Sequence, residues 1–298
     1  MREVCVNPAC YRWGTSLADF VASSATAGLR TVEVSIQQAS ALAVDLGGLT
    51  KLRRWKRRAG VTVAQFSGLI PTGSVLPAPL LIGESEFRGM LPTLDHRLTV
   101  AESLECPRAA IVVNPRTDLS RQEATDRALT RLHLLATRAA EHGVRLAVEF
   151  IGVRRDLDHS LDGSQPFVHD LAGLLKLLDQ ADHSNVGILV DLCHVYASGA
   201  SLIEVATLQN RVEFVQVCDI PRGVPPAALT DAARCLPGHG TLDYGEVSAA
   251  LDAAGYHGPL SIELFSPELW QLDLATAARK IFASSQALVT TSTQEKAQ

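Results

Sequence analysis

The sequence has few aromatic residues, few charged residues and no long hydrophobic run. Aromatic residues make up 5% of the 298 residues and charged residues 20%, against 47% hydrophobic residues. The scarcity of charge excludes a disordered chain. The hydrophobic runs are short, as in Ala109–Val113 and Val186–Val190, and fall well below the roughly 20 residues that a membrane helix needs. We therefore expect no membrane partner.

The sequence also shows neither the pattern of a secretory signal nor closely spaced cysteines, and we expect neither a signal peptide nor disulfides. Residues Met1 to Val4 are not followed by an apolar stretch of the kind found in signal peptides. None of the six cysteines forms a C-x-x-C pair, which argues against a disulfide framework and against a cysteine-rich zinc site. We expect buried free thiols in a cytoplasmic protein.

The net charge of −5 gives no general reason to expect a nucleic-acid partner. One local exception is the basic run Lys51–Arg58, which precedes Gly60. Cations are favoured at the carboxyl end of a helix by the helix dipole. We therefore interpret this run as a solvated helix end and expect no nucleic acid.

Short β-branched runs alternate with longer amphipathic stretches. No G-x-G-x-x-G motif follows the first run, which argues against a doubly wound open sheet. Eight strands that alternate with helices predict a single (β/α)8 TIM barrel over residues 1–288, followed by a polar tail over 289–298. The predicted strands are Glu3–Asn7, Thr31–Ser35, Thr62–Phe66, Ala109–Asn114, Arg145–Phe150, Val186–Asp191, Glu213–Asp219 and Leu260–Leu264.

The predicted helices follow from apolar spacing and capping residues. Ser16 is predicted to be an N-cap, and the segment Ser-Arg-Gln-Glu that begins at Ser120 predicts a capping box. The predicted helices are Ser16–Ala27, Ser120–His142, Val168–Gln180, Tyr244–Ala254 and Leu269–Leu288. A long loop is expected at Gly73–Pro79.

Polar side chains stand at the ends of four consecutive predicted strands, although each strand is otherwise apolar. They are Glu149, Asp191, Gln216 and Glu263. The carboxyl ends of the strands form the active-site face of such a barrel, and a lone buried carboxylate is costly. A divalent cation held by three carboxylates and one amide oxygen would offset that cost. Oxygen ligands favour Mn²⁺ or Mg²⁺, with Co²⁺ or Zn²⁺ as alternatives.

The motifs around these residues resemble the xylose isomerase-like barrels, the group of sugar-phosphate isomerases and epimerases that includes ketose 3-epimerases, hydroxypyruvate isomerases and inosose dehydratases. The resemblance covers nearly the whole chain. It is carried by Val-Glu149-Phe, Asp191-x-x-His194, Gln216-Val-Cys-Asp219, Pro237-Gly-His239-Gly and Gly258-Pro-Leu-Ser-Ile-Glu263. The epimerases usually have histidine where this chain has Gln216, which resembles the hydroxypyruvate isomerase branch instead.

The resemblance implies that Glu149, Asp191, Gln216 and Glu263 bind one metal ion. It implies an isomerase or epimerase of a small keto-sugar or hydroxy-carbonyl compound, acting through an enediolate, with Glu149 and Glu263 exchanging the proton. His194, Arg222 and His239 are expected to bind the substrate. Arg154 and Arg155 would suit an acidic substrate. The sequence does not distinguish a homodimer from a homotetramer.

Three alternatives are open at this point. A dehydratase of a keto-cyclitol or keto-sugar needs the same removal of an α-proton. A related apurinic-site endonuclease would need several histidines to bind three zinc ions. We place only one histidine, His194, at a strand end, which argues against this alternative. A metal-free sugar-binding protein on the same barrel is disfavoured by the four ligand-type side chains.

Overall fold

The computed structural model describes residues 2–71, 79–153 and 165–288. Arg154, Arg155, most of the expected loop at Gly73–Pro79 and the tail over 289–298 lie outside these residues. The described chain forms a closed barrel of eight strands. We number them β1 Val4–Val6, β2 Thr31–Ser35, β3 Thr62–Ser67, β4 Arg108–Val113, β5 Arg145–Phe150, β6 Val186–Asp191, β7 Val212–Val217 and β8 Leu260–Ile262.

Every strand of the barrel pairs in parallel with its two neighbours in chain order. The barrel closes where β1 pairs with β8, with Val4 opposite Leu260 and Val6 opposite Ile262. The predicted (β/α)8 fold is therefore confirmed. A separate antiparallel pair, Arg116–Thr117 with Gln165–Pro166, lies outside the barrel.

Helices surround the barrel and connect its strands. In the described part of the chain they are α1 Leu17–Ala27, α2 Ile36–Leu46, α3 Leu49–Ala59, α4 Glu84–Met90, α5 Leu94–Ser103, α6 Arg121–Glu141, α7 Leu171–Ala181, α8 Leu192–Ser198, α9 Leu202–Ala206, α10 Tyr244–Ala253, α11 Pro267–Trp270 and α12 Leu274–Ser285. None of them is long and apolar enough to cross a membrane.

The predicted capping residues act as expected at two helices. The Ser16 hydroxyl accepts a hydrogen bond from the backbone of Asp19 at the start of α1. Ser120 and Glu123 form a complete capping box at the start of α6. Gly60 ends α3 in the left-handed conformation, just after the basic run.

The prediction of one continuous helix over Leu269–Leu288 is wrong. The chain forms the short α11, then an extended residue at Asp273, then α12. The Asp273 carboxylate accepts a hydrogen bond from the backbone N–H of Thr276 and so starts a new helix. An aspartate at this position competes with helix continuation because its side chain satisfies an N–H that would otherwise need a backbone carbonyl.

Two buried clusters fill the molecule. The larger one lies between the barrel and its helices. The smaller consists of Cys5, Ala64, Ala147, Leu189 and Phe214. Since side chains alternate along a strand, Ala147, Leu189 and Phe214 share the inner face of the barrel with the residues two positions further on. Those residues are Glu149, Asp191 and Gln216.

The cysteines behave as the sequence predicts. All six are free, and five are buried, while Cys235 is partly exposed. Cys5 belongs to the apolar cluster inside the barrel. The polar layer of Glu149, Asp191 and Gln216 lies above this cluster, toward the carboxyl ends of the strands.

Candidate active site

The four predicted ligand residues all reach the carboxyl end of the barrel and are buried there. Their exposed fractions are 8% for Glu149, 1% for Asp191, 3% for Gln216 and 9% for Glu263. Asp191 and Gln216 are direct register partners on β6 and β7, and Ser261 is opposite Gln216 on β8. Asp191, Gln216 and Ser261 therefore lie at one height in the barrel, and Glu263 follows two residues beyond Ser261.

His194 joins this group through the start of α8. Asp191 caps that helix, because its Oδ1 accepts a hydrogen bond from the backbone N–H of Cys193 at 2.7 Å. One turn of helix then brings His194 back toward the barrel axis. Its Nε2 lies 3.7 Å from Oε1 of Glu149 and 3.9 Å from Oδ2 of Asp191.

The amide of Gln216 has a defined orientation. Its Nε2 donates to Oε1 of Glu33 at 3.1 Å and to Oε1 of Glu263 at 3.1 Å. Because carboxylates only accept hydrogen bonds, the amide nitrogen must face both acids. Its Oε1 therefore points away from them, and this atom is buried without a hydrogen-bond partner.

Glu33, on β2, is a buried member of the site that our sequence reasoning missed. Its Oε1 accepts hydrogen bonds from Asn7 at 3.0 Å and from Ser261 at 2.6 Å. Its Oε2 accepts one from Gln65 at 2.8 Å. Burial raises the pKa of Glu33, and these hydrogen bonds act in the opposite direction. The acid inside the apolar strand Thr-Val-Glu-Val-Ser is the same signal that identified the other strand-end residues.

Arg234 is the second residue that the sequence reasoning missed. Its side chain is 1% exposed, and its Nη1 donates to Oδ2 of Asp191 at 2.7 Å and to Oε2 of Glu263 at 3.0 Å. Its Nη2 and Nε bond Oδ1 of Asp231 at 2.5 and 3.0 Å. The guanidinium lies over the ring of Phe265, 5.3 Å from its centroid.

The charges at this site do not balance. Glu33, Glu149, Asp191 and Glu263 are each at least nine-tenths buried. In the part of the chain that the structure describes, Arg234 supplies the one guanidinium that bonds any of them. Several buried carboxylates with a single cation are strongly unfavourable unless protons or another cation compensate.

The pKa shifts agree with this excess of negative charge. Burial raises the pKa of Glu149 well above its ordinary value, and the nearby charge of Asp191 raises it further. Burial also raises the pKa of Glu263, although Arg234 opposes this shift. Burial alone would lower the pKa of Arg234, but the neighbouring carboxylates, Asp191 foremost, raise it, so the guanidinium stays charged.

The donor set fits a divalent cation. One oxygen of Glu149, one of Asp191 and a ring nitrogen of His194 all lie within 4.8 Å of one another. The unpartnered Oε1 of Gln216 offers a further neutral ligand. Carboxylate and amide oxygens suit Mg²⁺ or Mn²⁺, and an imidazole nitrogen extends the range to Zn²⁺.

Comparison with sequence families decides the family. The family model described as "Xylose isomerase-like TIM barrel" matches residues 21–286. The chain belongs to the xylose isomerase-like TIM barrel family. The sequence resemblance stated above is thereby confirmed.

Two proteins that are similar to this xylose isomerase-like barrel in sequence carry the names of enzymes. The inosose isomerase of Halalkalibacterium halodurans is 26% identical over 196 residues, which are 65% of this chain and 64% of that protein. The chain thus spans slightly less than two thirds of that relative. The 3-dehydroshikimate dehydratase of Pseudomonas aeruginosa is 30% identical over 137 residues, which are 45% of this chain and 20% of that protein.

Two solved structures share the fold over almost their whole length. A xylose isomerase domain protein from Alicyclobacillus acidocaldarius superposes with a TM-score of 0.82 at 25% identity, covering 97% of this chain and 98% of that one. The IOLI protein with a binding zinc atom superposes with a TM-score of 0.80 at 18% identity, covering 96% and 98%. The second likeness shows the fold alone.

Two predicted substrate-binding residues of this xylose isomerase-like barrel are not among the buried cluster. Arg222 and His239 are both exposed, in the connection between β7 and α10. Their predicted role in substrate binding stays a prediction. Arg234, from the same connection, is the arginine that enters the cluster.

Asp219 organises that connection. Its Oδ1 accepts the backbone N–H groups of Ile220 at 2.8 Å and Leu242 at 3.0 Å, and its Oδ2 accepts that of Gly238 at 2.9 Å. Asp219 therefore ties the Pro-Gly-His-Gly segment to the end of β7. Asp219 thus caps the loop that follows β7.

Proposed function

We propose that this chain is a divalent-metal-dependent isomerase or epimerase of a small hydroxy-carbonyl compound, such as a keto-sugar or a keto-cyclitol. The observation that carries the proposal is the buried cluster of Glu149, Asp191, Gln216 and Glu263 with more carboxylates than cations. The inosose isomerase relatives support the reaction class, and the zinc atom of the IOLI protein supports a metal site on this fold.

The proposed ligands are the oxygens of Glu149, Asp191, Gln216 and Glu263. When bound, a divalent ion supplies a Lewis acid that polarises the carbonyl of the substrate and offsets negative charge in the enediolate. His194 lies beside Glu149 and Asp191, where its ring can donate to or accept from a substrate oxygen. The same position would let it act as an additional ligand.

Glu149 and Glu263 are the proposed proton carriers. Strands β5 and β8 flank β6 and β7 in the barrel, so the two glutamates approach the centre from opposite sides of Asp191 and Gln216. One removes the proton on the carbon next to the carbonyl, and the other returns a proton. Return to the neighbouring carbon gives isomerisation, and return to the opposite face of the same carbon gives epimerisation.

The burial of this cluster also serves the chemistry. Water is kept from a reactive enediolate, and charges act on one another more strongly than they would in solvent. Asn7 and Gln216 both donate to Oε1 of Glu263, which fixes the direction of that carboxylate.

The test combines metal binding with proton exchange. Purified protein is analysed for bound metal, stripped with a chelator and titrated with Mn²⁺. It is then incubated in D₂O with ketoses, keto acids and keto-cyclitols and followed by NMR. We expect micromolar Mn²⁺ binding and uptake of deuterium at the carbon next to the carbonyl, without loss of water.

The variants Glu149→Gln and Glu263→Gln should lose deuterium uptake by at least about a hundredfold while remaining folded. The matched control is Glu86→Gln, an exposed glutamate on α4, which should keep wild-type exchange. A wild-type protein that binds no divalent ion at micromolar concentration would refute the metal-dependent proposal.

A dehydratase is the second candidate, favoured by the similarity to the 3-dehydroshikimate dehydratase of Pseudomonas aeruginosa. It needs the same removal of an α-proton, followed by departure of a β-hydroxyl group as water. The NMR experiment separates the two, because a dehydratase yields an unsaturated product. Release of water from a keto-cyclitol would replace the isomerase proposal with this one.

A further inference from the structure

Arg234 binds the same carboxylate oxygens that a metal ion would need. Oδ1 of Asp191 is already committed to the backbone N–H of Cys193, so Oδ2 is the oxygen left for a ligand. Arg234 Nη1 donates to that Oδ2 at 2.7 Å. The oxygen of Asp191 that faces the centre of the site is therefore engaged by a guanidinium.

The same arrangement holds at Glu263. Its Oε1 accepts hydrogen bonds from Asn7 at 2.8 Å and from Gln216 at 3.1 Å. Its Oε2 is the remaining oxygen, and Nη1 of Arg234 donates to it at 3.0 Å. A single nitrogen thus links the free oxygens of two proposed metal ligands.

Arg234 is also anchored on the side away from the barrel. Asp231, three residues earlier, accepts from both Nε and Nη2. The ring of Phe265 lies against the guanidinium. The side chain is 1% exposed, so it is a built part of the site. Asp231 is a third carboxylate that would still hold the guanidinium if Asp191 and Glu263 were released.

We propose that Arg234 is an internal competitor of the divalent ion. This inference rests on the metal site of the proposed function. In the metal-free chain, Arg234 holds Asp191 and Glu263 together and offsets part of their charge. When an ion binds, Arg234 gives up these contacts and keeps those with Asp231. The arginine therefore stabilises the metal-free barrel and weakens its affinity for the ion.

Glu149 explains why the competition is incomplete. It is buried with the others, and Nε2 of His194 lies 3.7 Å from its Oε1. Arg234 donates to Asp191 and Glu263, and its Nη2 lies 3.4 Å from the same Nε2 of His194. An ion that approaches Glu149 first could then displace Arg234 from His194 and Asp191. Repulsion between a divalent ion and a guanidinium a few ångströms away acts against the bound state.

The test compares Arg234→Met with the wild-type chain. Both proteins are stripped with a chelator and titrated with Mn²⁺ by calorimetry, and their thermal unfolding is followed with EDTA and with Mn²⁺. We expect the variant to bind Mn²⁺ roughly tenfold more tightly or better. We also expect a lower Tm in EDTA and a larger rise in Tm on adding Mn²⁺.

The matched control is Arg97→Met, which removes another buried arginine. Arg97 is 5% exposed and donates to the backbone carbonyls of Leu69 and Met90, away from the acidic cluster. This variant should lower Tm in EDTA while leaving the affinity for Mn²⁺ unchanged. The comparison separates the loss of a buried cation from the loss of a competitor.

Equal or weaker binding of Mn²⁺ by Arg234→Met would overturn the proposal, because Arg234 would then position the ligands instead of competing for them. Tight binding by the variant and none by the wild type would support it, and would refute only the metal dependence of the proposed function. If neither protein binds Mn²⁺, both proposals fail. If Arg234→Met does not fold, Arg234→Gln removes the same charge and is held to the same expectation.

Discussion

Gly152 lies directly against the backbone of His194. A Cβ at Gly152 would be 2.2 Å from the carbonyl oxygen of His194 and 3.2 Å from its Cα. The close approach involves backbone, so a rotamer change cannot relieve it. The loop after β5 and the start of α8 are therefore fitted to one another by the absence of a side chain at residue 152.

We predict that Gly152→Ala displaces His194 and weakens both stability and metal binding. The overpacking should cost about 1–3 kcal/mol, and Mn²⁺ affinity should fall because Asp191 caps the same helix. Urea denaturation and calorimetric titration measure the two effects. Gly89→Ala, at a helical position with no atom within 4 Å of the new Cβ, is the control and should stabilise by about 0.5–1 kcal/mol. Unchanged Mn²⁺ affinity in Gly152→Ala would contradict the prediction.

Replacing Glu33 should reveal how the polar layer is held together. Glu33→Ala leaves the donors of Asn7, Gln65, Gln216 and Ser261 without their common acceptor, which should cost about 3 kcal/mol or more. Glu33→Gln keeps the shape of the side chain. If the amide of Gln65 turns over, its Oε1, which is buried without a hydrogen-bond partner, can accept a hydrogen bond from the new N–H group of residue 33. We expect this variant to lose about 1 kcal/mol or less. Equal losses in urea denaturation at pH 7 would argue against this account.

Asp219 should stabilise the Pro-Gly-His-Gly segment through its three backbone hydrogen bonds. Asp219→Ala removes all three and should cost about 2–4 kcal/mol. Asp219→Asn keeps an oxygen for Ile220 and Leu242 and loses the bond to Gly238, so about half of that cost is expected. Urea denaturation of both variants checks the order, and an asparagine variant as unstable as the alanine variant would contradict it.

The ion pairs of Glu105 predict a pH-dependent stability. Lys56 and Arg57 on α3 lower the pKa of Glu105 from 4.5 to about 2. An acid whose pKa is lower in the folded state adds stability above its unfolded pKa and loses that contribution as the pH falls through its folded pKa. The difference in unfolding free energy between wild type and Glu105→Gln should therefore be constant above about pH 5 and disappear near pH 2.

That difference is measured by urea denaturation at a series of pH values. A difference that persists unchanged at pH 2 would show that Glu105 acts through its shape and not through its charge. The same ion pairs explain part of the basic run on α3. Lys56 is buried and, like Arg57, is paired with Glu105, which departs from the solvated helix end that the sequence predicts. The other cations of the run are exposed as predicted, namely Lys51, Arg53, Arg54, Arg57 and Arg58.

The barrel could be predicted because its signals are local. A parallel sheet that is covered on both faces needs short apolar runs, and every predicted strand overlaps an observed one. The predicted helix over Leu269–Leu288 failed for an equally local reason. Its apolar spacing continues across Asp273, but the capping hydrogen bond of that residue to Thr276 outweighs the periodicity.

The sequence by itself determined the eight strands and the convergence of Glu149, Asp191, Gln216 and Glu263, because the side-chain period of a strand and the closure of a barrel follow from local pattern. Only the tertiary structure decided what surrounds them. Arg234 comes from a connection with no periodicity, and its partners Asp191 and Glu263 are 43 and 29 residues away. No spacing rule relates such positions, since the path of a loop is set by what it packs against. Whether a buried carboxylate meets an arginine, an amide or an ion is therefore decided in three dimensions.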